Sequence, residues 1–127
     1  MEAALDVLIL DADKVVRDHV RVGLQNFPEF AVDTGQGFAG LNLTKQKDYD
    51  CLFIACDPQT DQGLELIENF RKTNNDVDVV MVTPARKSKA HQHLRTRYDL
   101  FSILYVPLDP GEFFRLVARL RRREAAY

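Results

Sequence analysis

A chain of 127 residues with 46% hydrophobic side chains is long enough for one domain around one sizeable core, which excludes disordered and fibrous classes. Its formal charge of -2, with a pI near 5.9, gives no general field for attracting nucleic acid or an anionic membrane, so partner choice rests on local patches. No apolar run reaches about 18 residues and no leader pattern opens the chain, so a cytoplasmic location is expected.

Val7-Leu8-Ile9-Leu10 is a short, wholly apolar, partly β-branched run, the composition of a parallel strand buried on both faces. Asp13 is then placed to cap a helix from about Lys14 to Asn26, with Val15, Val16, His19, Val20, Gly23 and Leu24 on one side. Phe30-Ala31-Val32-Asp33 is a weaker strand between Pro28 and the glycines 35 and 37, and a second helix is expected from about Phe38 to Lys47. Cys51 to Ala55 is a third strand, followed by a helix from about Gln62 to Lys72. Val79-Val80-Met81-Val82 is the fourth strand, and the helical stretch after it, about Lys87 to Arg97, is the least apolar. Within it His91 and His93 lie two apart, so they cannot form the i, i+4 pair that binds zinc and are read as solvated. Ile103 to Val106 is the fifth strand. The last helix starts near Pro110, after Asp109, and repeats Phe113, Leu116, Val117 and Leu120 at helical spacing.

Alternation of five strands with five helices implies an α/β, doubly wound parallel sheet, for which 2-1-3-4-5 is one common order. One domain covers residues 1–127, and its still-helical end, Arg-Arg-Arg-Glu-Ala-Ala-Tyr, reads as the N-terminal part of a longer protein. Cys51 and Cys56 are five apart on one extended strand, roughly 16 Å, too far for a disulfide. They are expected to be small buried hydrophobes, with no metal or cofactor role.

The segment Tyr49-Asp50-Cys51-Leu52-Phe53-Ile54-Ala55-Cys56-Asp57-Pro58-Gln59-Thr60-Asp61-Gln62-Gly63-Leu64-Glu65-Leu66 resembles the third strand and following loop of a response-regulator receiver domain: hydrophobic strand, Asp, eight residues to Gly, helix. The resemblance covers nearly the whole chain and implies the flavodoxin-like fold. It also implies a site at the carboxyl ends of the strands with five functional positions: two adjacent acids for a divalent cation, an acceptor Asp, a Thr or Ser, and a Lys before Pro. Matched residue by residue, the first acid is Asp11 and the hydroxyl is Thr83, whereas the second acid falls at Ala12, the acceptor at Ala55 and the lysine at Val106. A methyl group has no lone pair with which to attack phosphorus. Losing two acids and the lysine together also leaves a near-neutral pocket, stable without a cation. Asp13 is read as a cap, and Thr83 as bonded to local backbone. The resemblance further implies a cis peptide at Val106-Pro107.

The resulting expectation is a degenerate receiver, not an enzyme, that binds partners without phosphorylation. A competing reading puts the acceptor two residues late, at Asp57, although Asp57-Pro58 is also a common turn-initiating pair. The aromatic that many receivers carry three positions before the lysine falls at Ile103, and Tyr105 is expected on the strand's other face. The resemblance implies a partner surface on the fourth helix, fifth strand and fifth helix, here offering Arg95, Tyr98, Tyr105, Phe114, Arg115 and Arg119 to a protein or a second copy. Arg115, Arg119, Arg121, Arg122 and Arg123 make the last helix basic. With no aromatic interleaving and no helix-turn-helix, direct nucleic-acid binding is not expected, and a DNA-binding output domain further along is the remaining alternative.

Overall fold

Apolar runs without polar alternation need cover on both faces of a sheet, and two helical layers supply it. The computed structural model describes residues 5–10, 14–56, 63–86 and 88–125, so Asp11, Ala12, Asp13 and Asp57 lie outside the described residues. The elements run β1 (Leu5–Leu10), α1 (Lys14–Gln25), β2 (Phe30–Gly35), α2 (Gly37–Leu41), a 3₁₀ turn (Asn42–Lys45), β3 (Cys51–Ala55), α3 (Gly63–Arg71), β4 (Asp78–Thr83), α4 (Ala90–Arg97), β5 (Ser102–Tyr105) and α5 (Pro110–Ala125). All pairings are parallel and the spatial order is β2-β1-β3-β4-β5, as the alternation implied. The order reverses between β1 and β3, the place where sheets of this kind take their ligands, at the carboxyl ends of the strands.

On one side α1 and α5 cover Val7, Ile9, Cys51, Phe53, Val80, Val82 and Leu104 with Val20, Leu24, Leu116, Val117 and Leu120. On the other, Leu8, Leu10, Leu52, Ile54, Val79 and Met81 meet Leu41, Leu66, Ile67 and Phe70. Each fully buried Leu, Ile or Phe contributes about 1.5–3 kcal/mol, so these layers dominate stability. The two cysteines are buried on opposite sides of the sheet, Cys51 with α1 and α5 and Cys56 with α3, which is the small-hydrophobe role expected of them. No helix among the described residues is long and apolar enough to cross a membrane.

Two elements differ from the sequence reading. The second helix is short: after Leu41 the chain tightens into a 3₁₀ turn, where the Thr44 hydroxyl donates to the Leu41 carbonyl at 2.7 Å. A side chain that bonds the preceding turn competes with regular helix. The fourth helix begins at Ala90, three residues later than expected, and ends in a Schellman motif. There Leu100 N–H bonds Arg95 C=O (2.9 Å), Asp99 N–H bonds Thr96 C=O (3.4 Å), and Asp99 takes φ 52°, a region that Asp tolerates better than most residues. This turn delivers Leu100 to the core beside the partly buried Leu94.

Candidate functional site

The carboxyl edge of the sheet is built by three strand ends. β3 stops at Ala55, and the Cys56 N–H is tied to Val82 C=O at 2.8 Å. β4 stops at Thr83, and the Val106 N–H is tied to Thr83 C=O at 2.9 Å, which fixes the exit of β5 beside it. The Val106-Pro107 bond is cis, as expected. Ala55, Val106 and Leu108 are partly buried and extend the α1/α5 core upward to this edge. Thr83 is fully buried, and its hydroxyl accepts the Ala85 N–H at 3.1 Å, the local bond expected of it. Ala55, Thr83 and Val106 thus bring a methyl, an engaged hydroxyl and an isopropyl group together, and none of the three ionises.

A second surface runs along β5, one of the sheet's two edge strands. A groove of about 830 Å³ there is lined by Ala85 and Arg86 after β4, by β5 itself, and by Glu112, Arg115, Arg119 and Arg122 of α5. Beside it, toward the start of the strand, a cleft of about 630 Å³ holds Arg95, Thr96 and Asp99 and shares Arg119 and Arg122. Arg119 stacks over Phe101 with its guanidinium carbon 5.3 Å from the ring centre. Arg95 donates to Phe101 C=O at 3.3 Å. Arg71 clamps the end of α4 from below, donating to Tyr98 C=O at 3.0 Å and Asp99 C=O at 2.9 Å.

Four expected placements are corrected here. Tyr98 is buried at 8% exposure, because the Schellman turn draws it into the core under Arg97, so it offers no surface ring. Phe114 is 61% exposed but sits on the α1 side of α5, 5.8 Å from Phe27 between ring centres, away from β5. His91, read as solvated, is 7% exposed: its Nδ1 is 2.8 Å from the Tyr105 hydroxyl and the two rings stack at 5.6 Å. Tyr105 therefore shares the α4-facing side of β5 with Ile103, since residues two apart on a strand lie on one face. Burial pushes its phenol pKa above the usual value. Arg86, Glu112 and Arg122 were absent from the expected surface. The sequence signal that could have found Arg122 is its i+7 spacing from Arg115 on the α5 face.

With this geometry in view, comparison with known proteins is decisive for the family. The model of the response regulator receiver domain matches residues 7–118. This chain belongs to that family. Among relatives of the receiver domain is the "Probable C4-dicarboxylate response regulator DctR" of Halalkalibacterium halodurans, 27% identical over 128 aligned positions that cover 99% of this chain and 54% of the relative. The domain thus spans about half the length of that relative. Among solved structures, the response regulatory domain of mrkE from Klebsiella pneumoniae superposes with a TM-score of 0.80 at 14% identity, covering 96% of this chain and 99% of the other. The receiver domain of AraT, a response regulator from Geobacillus stearothermophilus, gives 0.79 at 22% identity and 97% coverage of both. The receiver domain described here is therefore a signalling module of the two-component type.

Proposed function

We propose that this receiver domain works without phosphoryl transfer, as a constitutive protein-interaction module. The observation that carries the reading is Ala55 as the last residue of β3, at the position where the family pattern calls for the acceptor aspartate. Its methyl cannot form an acyl phosphate, and Val106 in place of a lysine cannot neutralise one. Both side chains instead pack onto the core, which supports an edge held by apolar contact without a cation. With no phosphoryl group to move the loops after β3 and β4, the β5 face stays in one state and binds partners at all times. The test is incubation with acetyl phosphate and Mg²⁺ followed by intact-mass measurement. Unchanged mass is expected, and a stoichiometric phosphoryl adduct, on Asp57 or elsewhere, would overturn the proposal.

A further inference from the structure

We propose that the pocket between α1 and α5 binds an uncharged planar aromatic molecule of about two or three fused rings, with a hydrogen-bonding group at each end. The assignment is independent of the β5 face and of whether the carboxyl edge is phosphorylated. The pocket encloses about 510 Å³, within the range of small-molecule sites, and Val22, Phe27, Leu108, Pro110, Phe113 and Phe114 give it apolar walls. Gly23 closes one side. A Cβ there would lie 2.3 Å from Phe113 Cε2, so α1 meets the Phe113 ring with bare backbone.

Val22 and Phe114 are 57% and 61% exposed, and they are two of the three large apolar side chains left in solvent among the described residues. Apolar groups gathered at one concavity mark a binding site, whereas scattered ones do not. The Phe27 and Phe114 ring centres are 5.8 Å apart with their planes at 51°. A flat ring entering beside them meets both edges and faces, the geometry that aromatic pairs prefer.

Charge narrows the class further. No lysine or arginine is among the lining residues, in contrast to the two arginine-lined hollows beside β5. At the rim Asp18 is matched by Arg21 at 3.0 Å, and Arg121, whose guanidinium lies 4.8 Å over the Phe27 ring, is matched by Glu29. A charged ligand would lose hydration here and gain no countercharge, so an uncharged one fits. His19 and Asn26 supply hydrogen-bonding groups seven residues apart in sequence, about 10 Å along α1 at 1.5 Å rise per residue. That span sets the length of the ligand.

The probe is 2,6-dihydroxynaphthalene, titrated into the isotope-labelled 127-residue chain and followed through amide resonances. Naphthalene-2,6-disulfonate and 2,6-bis(aminomethyl)naphthalene serve as anionic and cationic counterparts of the same shape. Saturable shifts are expected at Val22, Gly23 and Asn26 with the diol, and about tenfold weaker binding for either charged counterpart. Phe114→Ala should weaken the diol about tenfold while leaving Tm unchanged, since that ring is largely exposed. Absence of saturable shifts, shifts confined to other elements, a charged counterpart that binds as well as the diol, or indifference to Phe114→Ala would each overturn the assignment. So would a dimer in sedimentation that Phe114→Ala dissolves, because a second copy would then fill the pocket.

Discussion

Tyr49 shows how one side chain sets a pH limit. Its hydroxyl donates to Asp33 at 2.7 Å while Lys47 bridges Asp33 and Asp6 at 3.1 and 3.2 Å, tying β1, β2 and the approach to β3 together. Burial first, and then the bond to Asp33, push the Tyr49 pKa up to about 12. A folded value above the unfolded one of about 10 means that this contribution is complete below pH 10 and is lost as pH rises through 12. Asp33 runs the other way: the Tyr49 hydrogen bond, then Lys47, hold its carboxyl below the usual range, so its contribution is present above about pH 4 and fades as pH falls through the lowered value. Tyr49→Phe should therefore cost about 1 kcal/mol at neutral pH, and its Tm should decline less steeply than the parent's from pH 10 to 12 in thermal melts. A parallel decline would show that Tyr49 does not titrate with folding. Residues of this kind were hard to read in advance. The His91–Tyr105 pair joins positions fourteen apart, and a polar helix gives no periodic hint that one of its two histidines is buried.

At the scale of elements, periodicity served well wherever burial is extreme. All six residues of β4 are buried, and β3 starts and stops where its apolar run does. It served badly for α2, where contact geometry rather than side-chain pattern sets the length. A Cβ on Gly40 would lie 2.7 Å from the Gly35 carbonyl carbon and 2.7 Å from Leu10 Cδ2, so α2 docks on β2 backbone to backbone. Gly40→Ala gains about 1 kcal/mol of helix propensity but forces an overlap that costs about 1–3 kcal/mol. Neither obstacle is a flexible side-chain tip, since one is backbone and the other belongs to a fully buried leucine, so the overlap wins. Urea denaturation should show a net loss of up to about 2 kcal/mol, and a stabilised variant would mean that α2 can lift off the sheet. The partner surface was legible only in part for a related reason: Arg115 and Arg119 follow from α5 periodicity, whereas Tyr98 and Phe114 depend on which way a helix end turns and which neighbour it meets.

For the molecule as a whole, the scaffold and the edge chemistry are separable. The strand order and both core layers persist with apolar groups at Ala55 and Val106. A bound cation would raise stability by RT ln(1 + [L]/Kd), about 2.7 kcal/mol at a hundredfold excess over Kd. With alanines at positions 12 and 55 where the family pattern has acids, millimolar Mg²⁺ should leave Tm unchanged in differential scanning calorimetry. A rise that saturates with Mg²⁺ would mean that a working cation site survives. The fold was readable because it rests on many interchangeable apolar residues, and the gathering of Ala55, Thr83 and Val106 at one edge was readable because each ends or directly follows a strand of that fold. One further consequence follows from Arg115, Arg119 and Arg122, which α5 sets along the β5 groove. They give a chain of net charge -2 an electropositive flank on an otherwise slightly electronegative body, so the domain carries a lopsided charge distribution. An anionic neighbour is repelled from most directions and drawn in from one, so the molecule turns its arginine flank forward before any contact forms.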